Sequence, residues 1–443
     1  MGRWGKRLSW TLLVLALGVG LGLFALQRWV ASDDFRARVE TQAETALGVP
    51  VTLGRLHVDP WPVPAVALEA VVVQTQPALT VRRIELRLQL SELLAGRLTV
   101  ASLLVYGGDL PQSGIDQLLL AARKTSGAAA AGNPSAGAQT PVESSDLPLL
   151  LIPRRLTLDD VTWRNNRGEA TTVDAVATLD VLGLPDELEL RLRAGTFEGA
   201  WFKATRQAPG SQTSGDLIWD LRVQHAGGTI TGVLTVQDPS RDASTLSVRG
   251  QFETRNLELS ALRHGAPGPL SGRLRASTTL SAKAASTAGL AQALVSQSTF
   301  TVDDAVVKGI DLAKAVQTVG LSRGGQTRLD NLSGQVTTRG RALVLSNLAA
   351  SSGALSAAGE VAVTPNRSLS GRVNVNLAES VVGKAVGVPL VVGGTLDAPT
   401  VTLTRGAMLG AAIGTLVMPG VGTGAGASFG DAIGDKLKGL FGK

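Results

Sequence analysis

The 443-residue chain has no cysteine, which excludes disulfides, thiolate zinc sites and cysteine nucleophiles. It has only three histidines, His57, His225 and His264, in separate segments with no HExxH and no pair four residues apart, so no metal site is expected. A GxxxxGKS/T phosphate loop and a GxGxxG turn between strand and helix are missing as well. Acids do occur in pairs, Asp159-Asp160 and Asp303-Asp304. Each pair precedes hydrophobic residues where a strand edge is expected, and such pairs form turns or capping contacts there. The expectation is a non-enzymatic protein with no catalytic residue, no cofactor and no metal. A carboxylate pair assembled only in three dimensions would leave no trace in spacing.

Charged residues are scarce, at 18%, and aromatics scarcer, at 4%. Lys and Arg number 42 against 36 Asp and Glu, a net charge of +6. The basic residues stand singly rather than in a stripe with interleaved aromatics, so nucleic acid is not an expected partner. Apolar residues make up 44%, enough to exclude a disordered tail protein and to fill a large core.

Charge vanishes altogether from Leu8 to Gln27. As a helix rising about 1.5 Å per residue, such a run matches the hydrocarbon thickness of a bilayer, roughly 30 Å. Leu8, Leu12, Leu15, Leu21, Phe24 and Trp29 make up the expected anchor. A cleaved signal peptide is the competing reading; the run is long for one, and Trp29 occupies the −3 position of the site after Ala31. Arg3, Lys6 and Arg7 precede the run and Arg28, Arg36 and Arg38 follow it. The orientation expected is N-terminus in the cytoplasm and body in the periplasm, on one transmembrane pass.

Beyond the anchor, Ser32 offers an N-cap, Phe35, Val39, Ala43 and Leu47 recur every four residues, and Gly48 ends the pattern, which predicts one amphipathic helix. The period then falls to two in Val51 and Leu53 and in Ile84, Leu86, Leu88 and Leu90. A second helix is predicted from Pro111 to Lys124, and a flexible small-residue linker over 125–146. Alternation resumes in Leu188, Leu190 and Leu192, in Leu217, Trp219, Leu221 and Val223, in Leu246 and Val248, and in Val373, Val375 and Leu377. Short helices are predicted over Thr287–Val295, Asp311–Val319 and Glu379–Val386, too sparse to act as crossovers of a parallel sheet. The fold class is therefore mainly β, a long antiparallel meander with one apolar face. That face can be hidden by closing a barrel, by packing on a second sheet, or by curling into a trough that holds apolar ligand. All three satisfy the pattern.

From Gly406 the composition changes again. Gly406, Gly410 and Gly414 form a small-residue stripe suited to self-association or membrane contact, and Pro419 with the following glycines interrupts an uncharged stretch, which reads either as two short helices lying on or dipping into a membrane or as a frayed Gly/Ala tail. The predicted organisation is anchor (1–31), helix-and-strand region (32–124), linker (125–146), β-rich body (147–405) and Gly/Ala-rich tail (406–443).

The N-terminal span, followed by VETQAETALGVPVTLGRLHVDPWPVPAVALEAVVV and VRRIELRLQLSELLAGRLTVASLLVYGGDL, resembles the N-terminal region of the AsmA family. The segments STFTVDDAVVKGIDLAKAVQTVG, TRLDNLSGQVTTRGRALVLSNLAASSGALSAAGEVAV and PLVVGGTLDAPTVTL resemble successive parts of that family's C-terminal region. The two stretches flank a less distinctive middle, Leu151 to Leu280. The resemblance implies a bacterial inner-membrane-anchored periplasmic protein. Its β-sheet would curl into an apolar groove, as in the related TamB-type bridge-like lipid transfer proteins, and it would serve outer-membrane assembly and phospholipid traffic. The partners implied are the inner membrane, phospholipids and envelope or outer-membrane assembly proteins. Lining of the groove then falls to the alternating residues from Leu188 to Leu377 named above. The family brings no catalytic residues. The alternative function is a scaffold that binds envelope proteins at a sheet edge without transport.

Overall fold

The computed structural model describes residues 32–59, 65–89, 100–131, 153–181, 183–208, 216–237, 245–262, 268–284, 287–317, 324–340, 342–353, 355–377 and 387–408. The expected anchor, Pro60, Pro62 and Pro64, the helix predicted over 379–386, His264, and Gly410 and Gly414 of the tail lie outside these residues. Among the described residues no helix is long and apolar enough to cross a membrane.

The chain is mainly β and divides into two compact units, Met1–Lys203 and Ala204–Lys443. In the first, the helix Asp33–Leu47 forms where the four-residue spacing predicts it. The Ser32 hydroxyl oxygen accepts from the Phe35 N–H at 3.3 Å, and Gly48 ends the helix at φ 70°, its own N–H donating to the Glu44 carbonyl. Phe35, Val39, Ala43 and Leu47 pack on Val51, Leu53, Leu56 and Val71, the first core cluster. Eight strands follow: β1 (Val51–Thr52), β2 (Leu56–Asp59), β3 (Ala65–Val73), β4 (Leu79–Leu88), β5 (Val100–Pro111), β6 (Arg155–Arg164), β7 (Ala170–Leu179) and β8 (Pro185–Ala194). β1 and β2 both pair with β3 and with no other strand among the described residues, so together they form one edge.

From β2 to β8 successive strands are antiparallel except β5 and β6, which run parallel. The uniform meander expected from the alternation is corrected at that one pair. Its connection contains the helix Gln112–Ala131, and a parallel pair needs such a crossover. The helix also runs seven residues into the segment expected to be a flexible linker, because Ala128–Ala131 are the strongest helix formers.

Strand β9 (Trp201–Arg206) runs across the division between the units. The second unit continues with β10 (Leu217–His225), β11 (Gly228–Val236), β12 (Leu246–Glu258), β13 (Leu270–Ala284), β14 (Val295–Lys308), β15 (Gln326–Arg339), β16 (Ala342–Ser352), β17 (Leu355–Val363), β18 (Leu369–Leu377), β19 (Gly387–Gly394) and β20 (Pro399–Leu403). From β10 onward every strand pairs antiparallel with the next. The predicted short helices appear as Thr287–Ala293 and Leu312–Gln317. After His225 the chain turns through Ala226 and Gly227, at φ 49° and 72°, to close the hairpin of β10 and β11.

The acid pairs are not at strand edges. Asp159-Asp160 lies inside β6 and Asp303-Asp304 inside β14, and Asp160 and Asp304 adopt φ 57° and 52°. Each is an extra residue that shifts the side-chain alternation by one. The register steps from Leu158 opposite Ala175 to Val161 opposite Val173. Ala70 in β3, Gly107 in β5, Asn256 in β12 and Asn347 in β16 do the same at φ 50–59°. A left-handed residue in mid-strand is how a bulge absorbs a phase slip and bends the strand. The apolar residues on both sides of it therefore stay on one face, as Leu68 and Val71 do.

The larger core lies in the second unit. Phe300, Val302, Ala305, Leu329, Leu355, Ala357, Val375, Val388, Leu390, Val401 and Leu403 cluster there beneath Ala315 of the helix Leu312–Gln317 and Ala407. The first residues of the expected membrane-contacting tail are thus part of this core: the Thr404 hydroxyl oxygen accepts from the Ala407 N–H at 3.1 Å, and Ala407 is 0% exposed. Gly406 is half-buried beside it.

Candidate functional site

Cross-strand register decides which residues share a face, because directly opposed residues point to the same side of a sheet. In the first unit one row runs Leu190, Ala175, Leu158, Val105, Ile84, Leu68 and Leu56. Rows through Leu188 and Leu192 lie beside it, the latter passing Val173, Val161, Gly108, Val81 and Val71. The core cluster that the helix Asp33–Leu47 joins takes in Val66, Leu68, Val71, Val73, Val81 and Ile84 of this face. Leu103, Val105, Leu156, Leu158, Leu188, Leu190 and Leu192 are outside that cluster and half-buried.

The second unit repeats the arrangement. Leu221 opposes Gly232, and the row continues through Phe252, Thr278, Ser298, Val336, Leu345, Val361, Gly371, Val392 and Val401. Val223 begins a neighbouring row through Ile230 and Thr254, Trp219 opposes Leu234, and Leu217 opposes Val236, which opposes Val248. Leu246 and Val248 continue to Ala284 and Ala282. All the residues singled out by alternation in this unit therefore fall on one face, in two different settings. Leu217, Trp219, Leu221, Val223, Leu246 and Val248 are half-buried and lie outside the core cluster. Val375 is 0% exposed at the centre of that cluster with Val373 packed against it, so the chain itself fills the face there. Leu377 opposes Leu355 in the same region.

The opposite face is polar and organised by charge. In the first unit the bulges bring Arg82 to Asp160 at 2.9 Å and Arg193 to both Asp174 and Asp159, while Arg164 binds Asp109 at 2.8 Å. Burial pushes the Asp174 carboxyl up, but the Asp160 N–H and the Arg193 guanidinium outweigh it and hold the group below its usual range. Depressions lie on this side too. One of about 720 Å³ in the second unit is lined mainly by polar-face residues, among them Thr235, Arg249, Gln251, Thr279 and Gln297. A separate cavity, about 500 Å³, lies at the β2 edge of the first unit beside the start of the helix Asp33–Leu47, among Ser32, Arg36, Arg55, Leu56, His57 and Glu69.

Among the described residues no group of three or more His, Asp or Glu side chains could hold a metal ion. Two runs, Gly320 to Gly324 and Gly426 to Gly430, have GxSxG spacing, and their serines, Ser322 and Ser428, lie outside the described residues. The residues that sequence reasoning missed are the bulge positions and the cavity at Arg55 and Glu69. A phase slip in the apolar alternation, two polar residues where one is due, is the signal that reveals the bulges. No known family, no curated protein and no solved structure matches this chain.

Proposed function

We propose that the chain is an inner-membrane-anchored periplasmic protein of the AsmA type, one that shields phospholipid acyl chains on the apolar face of its sheet and so supports lipid traffic and outer-membrane assembly. The observation that carries this reading is the two-part character of that face. It is packed into a core cluster with the helix Asp33–Leu47 over β1–β4 in one unit and with the helix Leu312–Gln317 over β14–β20 in the other, while Leu188, Leu190 and Leu192, and Leu217, Trp219, Leu221 and Val223, stay half-exposed between polar neighbours. An apolar strip of this kind favours contact with hydrocarbon, about 0.8 kcal/mol for each CH₂ removed from water. Curling of the sheet into a groove belongs to the same proposal. No chemistry is required, and the anchor over residues 8–27 would hold the protein at the membrane that supplies the lipid.

The test is mass spectrometry of lipids that co-purify with the full chain in a non-phosphate detergent, beside the double variant Leu190→Asp/Leu221→Asp. Stoichiometric phospholipid, lost in the variant, is the expected result; equal lipid in both sinks the reading. One observation favours the scaffold reading instead: β20 pairs only with β19 among the described residues, so its outer backbone is open to strand addition. Under that reading Thr402→Lys, a charge on the exposed side of this edge strand, abolishes capture of an envelope partner and leaves bound lipid unchanged.

A further inference from the structure

We infer that the cavity at the β2 edge of the first unit binds a zwitterionic headgroup in which a phosphate and a primary amine sit close together. This rests on the lipid-handling reading above and names the polar end of its cargo. The cavity of about 500 Å³ is lined by Arg36, Arg55 and Glu69 together with Ser32, His57 and the apolar Leu56. Arg36 is held at its rim: one terminal nitrogen donates to Asp33 Oδ1 at 2.7 Å and the other to the Gly54 carbonyl at 3.3 Å. Arg55 and Glu69 are fixed side by side by the backbone, since the Glu69 N–H donates to the Arg55 carbonyl at 2.8 Å and the Gly54 N–H to the Glu69 carbonyl at 2.9 Å. Yet the Arg55 guanidinium and the Glu69 carboxylate make no ion pair with each other or with any other described residue.

Two opposite charges held in one cavity and left unpaired suit a ligand that carries both signs. Guanidinium N–H groups match phosphate oxygens in charge and fork geometry, and a carboxylate takes an ammonium. A simple anion would meet Glu69 unfavourably and a simple cation would meet Arg36 and Arg55, so the lining selects the dipolar ligand. Leu56 extends the site: it lines the cavity and belongs to the core cluster with Val51, Leu53 and Val71, which gives the first methylenes beyond the phosphate an apolar contact. The location fits a lipid source. Ser32 lines the cavity and lies five residues beyond Gln27, the end of the uncharged run, a reach of at most about 18 Å for an extended chain.

The experiment uses the full chain in maltoside micelles, titrated with glycerophosphoethanolamine, glycerol phosphate and inorganic phosphate and followed by the phosphorus resonance. Glycerophosphoethanolamine should bind most tightly. Arg55→Gln should weaken both organic ligands about tenfold, as loss of a charge-assisted contact does. Glu69→Gln should weaken glycerophosphoethanolamine and strengthen glycerol phosphate. Both variants should keep the wild-type urea midpoint, since Arg55 is exposed and Glu69 half-buried. Preference for inorganic phosphate, or Arg55→Gln binding like wild type, overturns the inference. These probes carry no acyl chain, so their binding is independent of Leu190 and Leu221. Lipid that co-purifies without headgroup binding ends this inference and leaves the groove standing, and the reverse result ends the groove alone.

Discussion

Asn347 and Asp160 show how much of this fold is settled by single residues in an unusual conformation. A left-handed conformation costs an ordinary residue roughly 1–2 kcal/mol, and Asn and Asp tolerate it best after Gly. Asn347 sits at φ 51°, so Asn347→Val should lower stability by about 1–2 kcal/mol in urea denaturation while Asn347→Gly changes it by less than about 0.5 kcal/mol. Glu258 makes a second prediction at this scale. Burial pushes its carboxyl up, but the Ser260 hydroxyl, the N–H groups of Ser260 and Gly272 and the charge of Arg273 hold it below its ordinary value of 4.5. A carboxyl depressed by folding stabilises fully above its unfolded pKa and loses that contribution as pH falls through the folded one. Wild type should therefore exceed Glu258→Gln in urea midpoint near neutrality, and the gap should close as the pH drops below about 4.

At the scale of elements, the helix Asp33–Leu47 was fully legible, because cap, spacing and stop residue all agree and its packing uses the four residues that the spacing names. Val39→Asp should detach it, at about 1.5–3 kcal/mol, and speed amide exchange across β1–β3 while leaving β17–β20 unchanged. Strands were legible as strands, since Leu217, Trp219, Leu221 and Val223 alternate without interruption. Bulged strands were harder to read: in LTLDDVTW and FTVDDAVV the two acids break the alternation, and the slip looks like a strand ending unless the pattern is followed past it. The parallel join of β5 to β6 could not be read at all, because nothing in either strand's composition encodes the direction of its neighbour. Of the candidate site, the apolar face was visible in the alternation, whereas its division into covered and uncovered stretches depends on helices that pack on it from elsewhere in the chain.

For the molecule as a whole, the two core clusters lie in different units, which predicts separable unfolding. Leu390 is 0% exposed, so Leu390→Ala should lower one calorimetric transition by about 2–5 kcal/mol and leave the other in place. A single transition that shifts as a block would show that the units unfold together. The order of pairing has a further consequence. From β3 to β8, and again from β10 to β20, each strand hydrogen-bonds to the one synthesised just before it, β5 and β6 through a long crossover, while β1 and β2 both pair with β3. Local pairing of this kind keeps loop closure cheap and contact order low. Each new strand therefore finds its partner already in place beside it, and the sheet grows at the edge where the most recent strand was laid down.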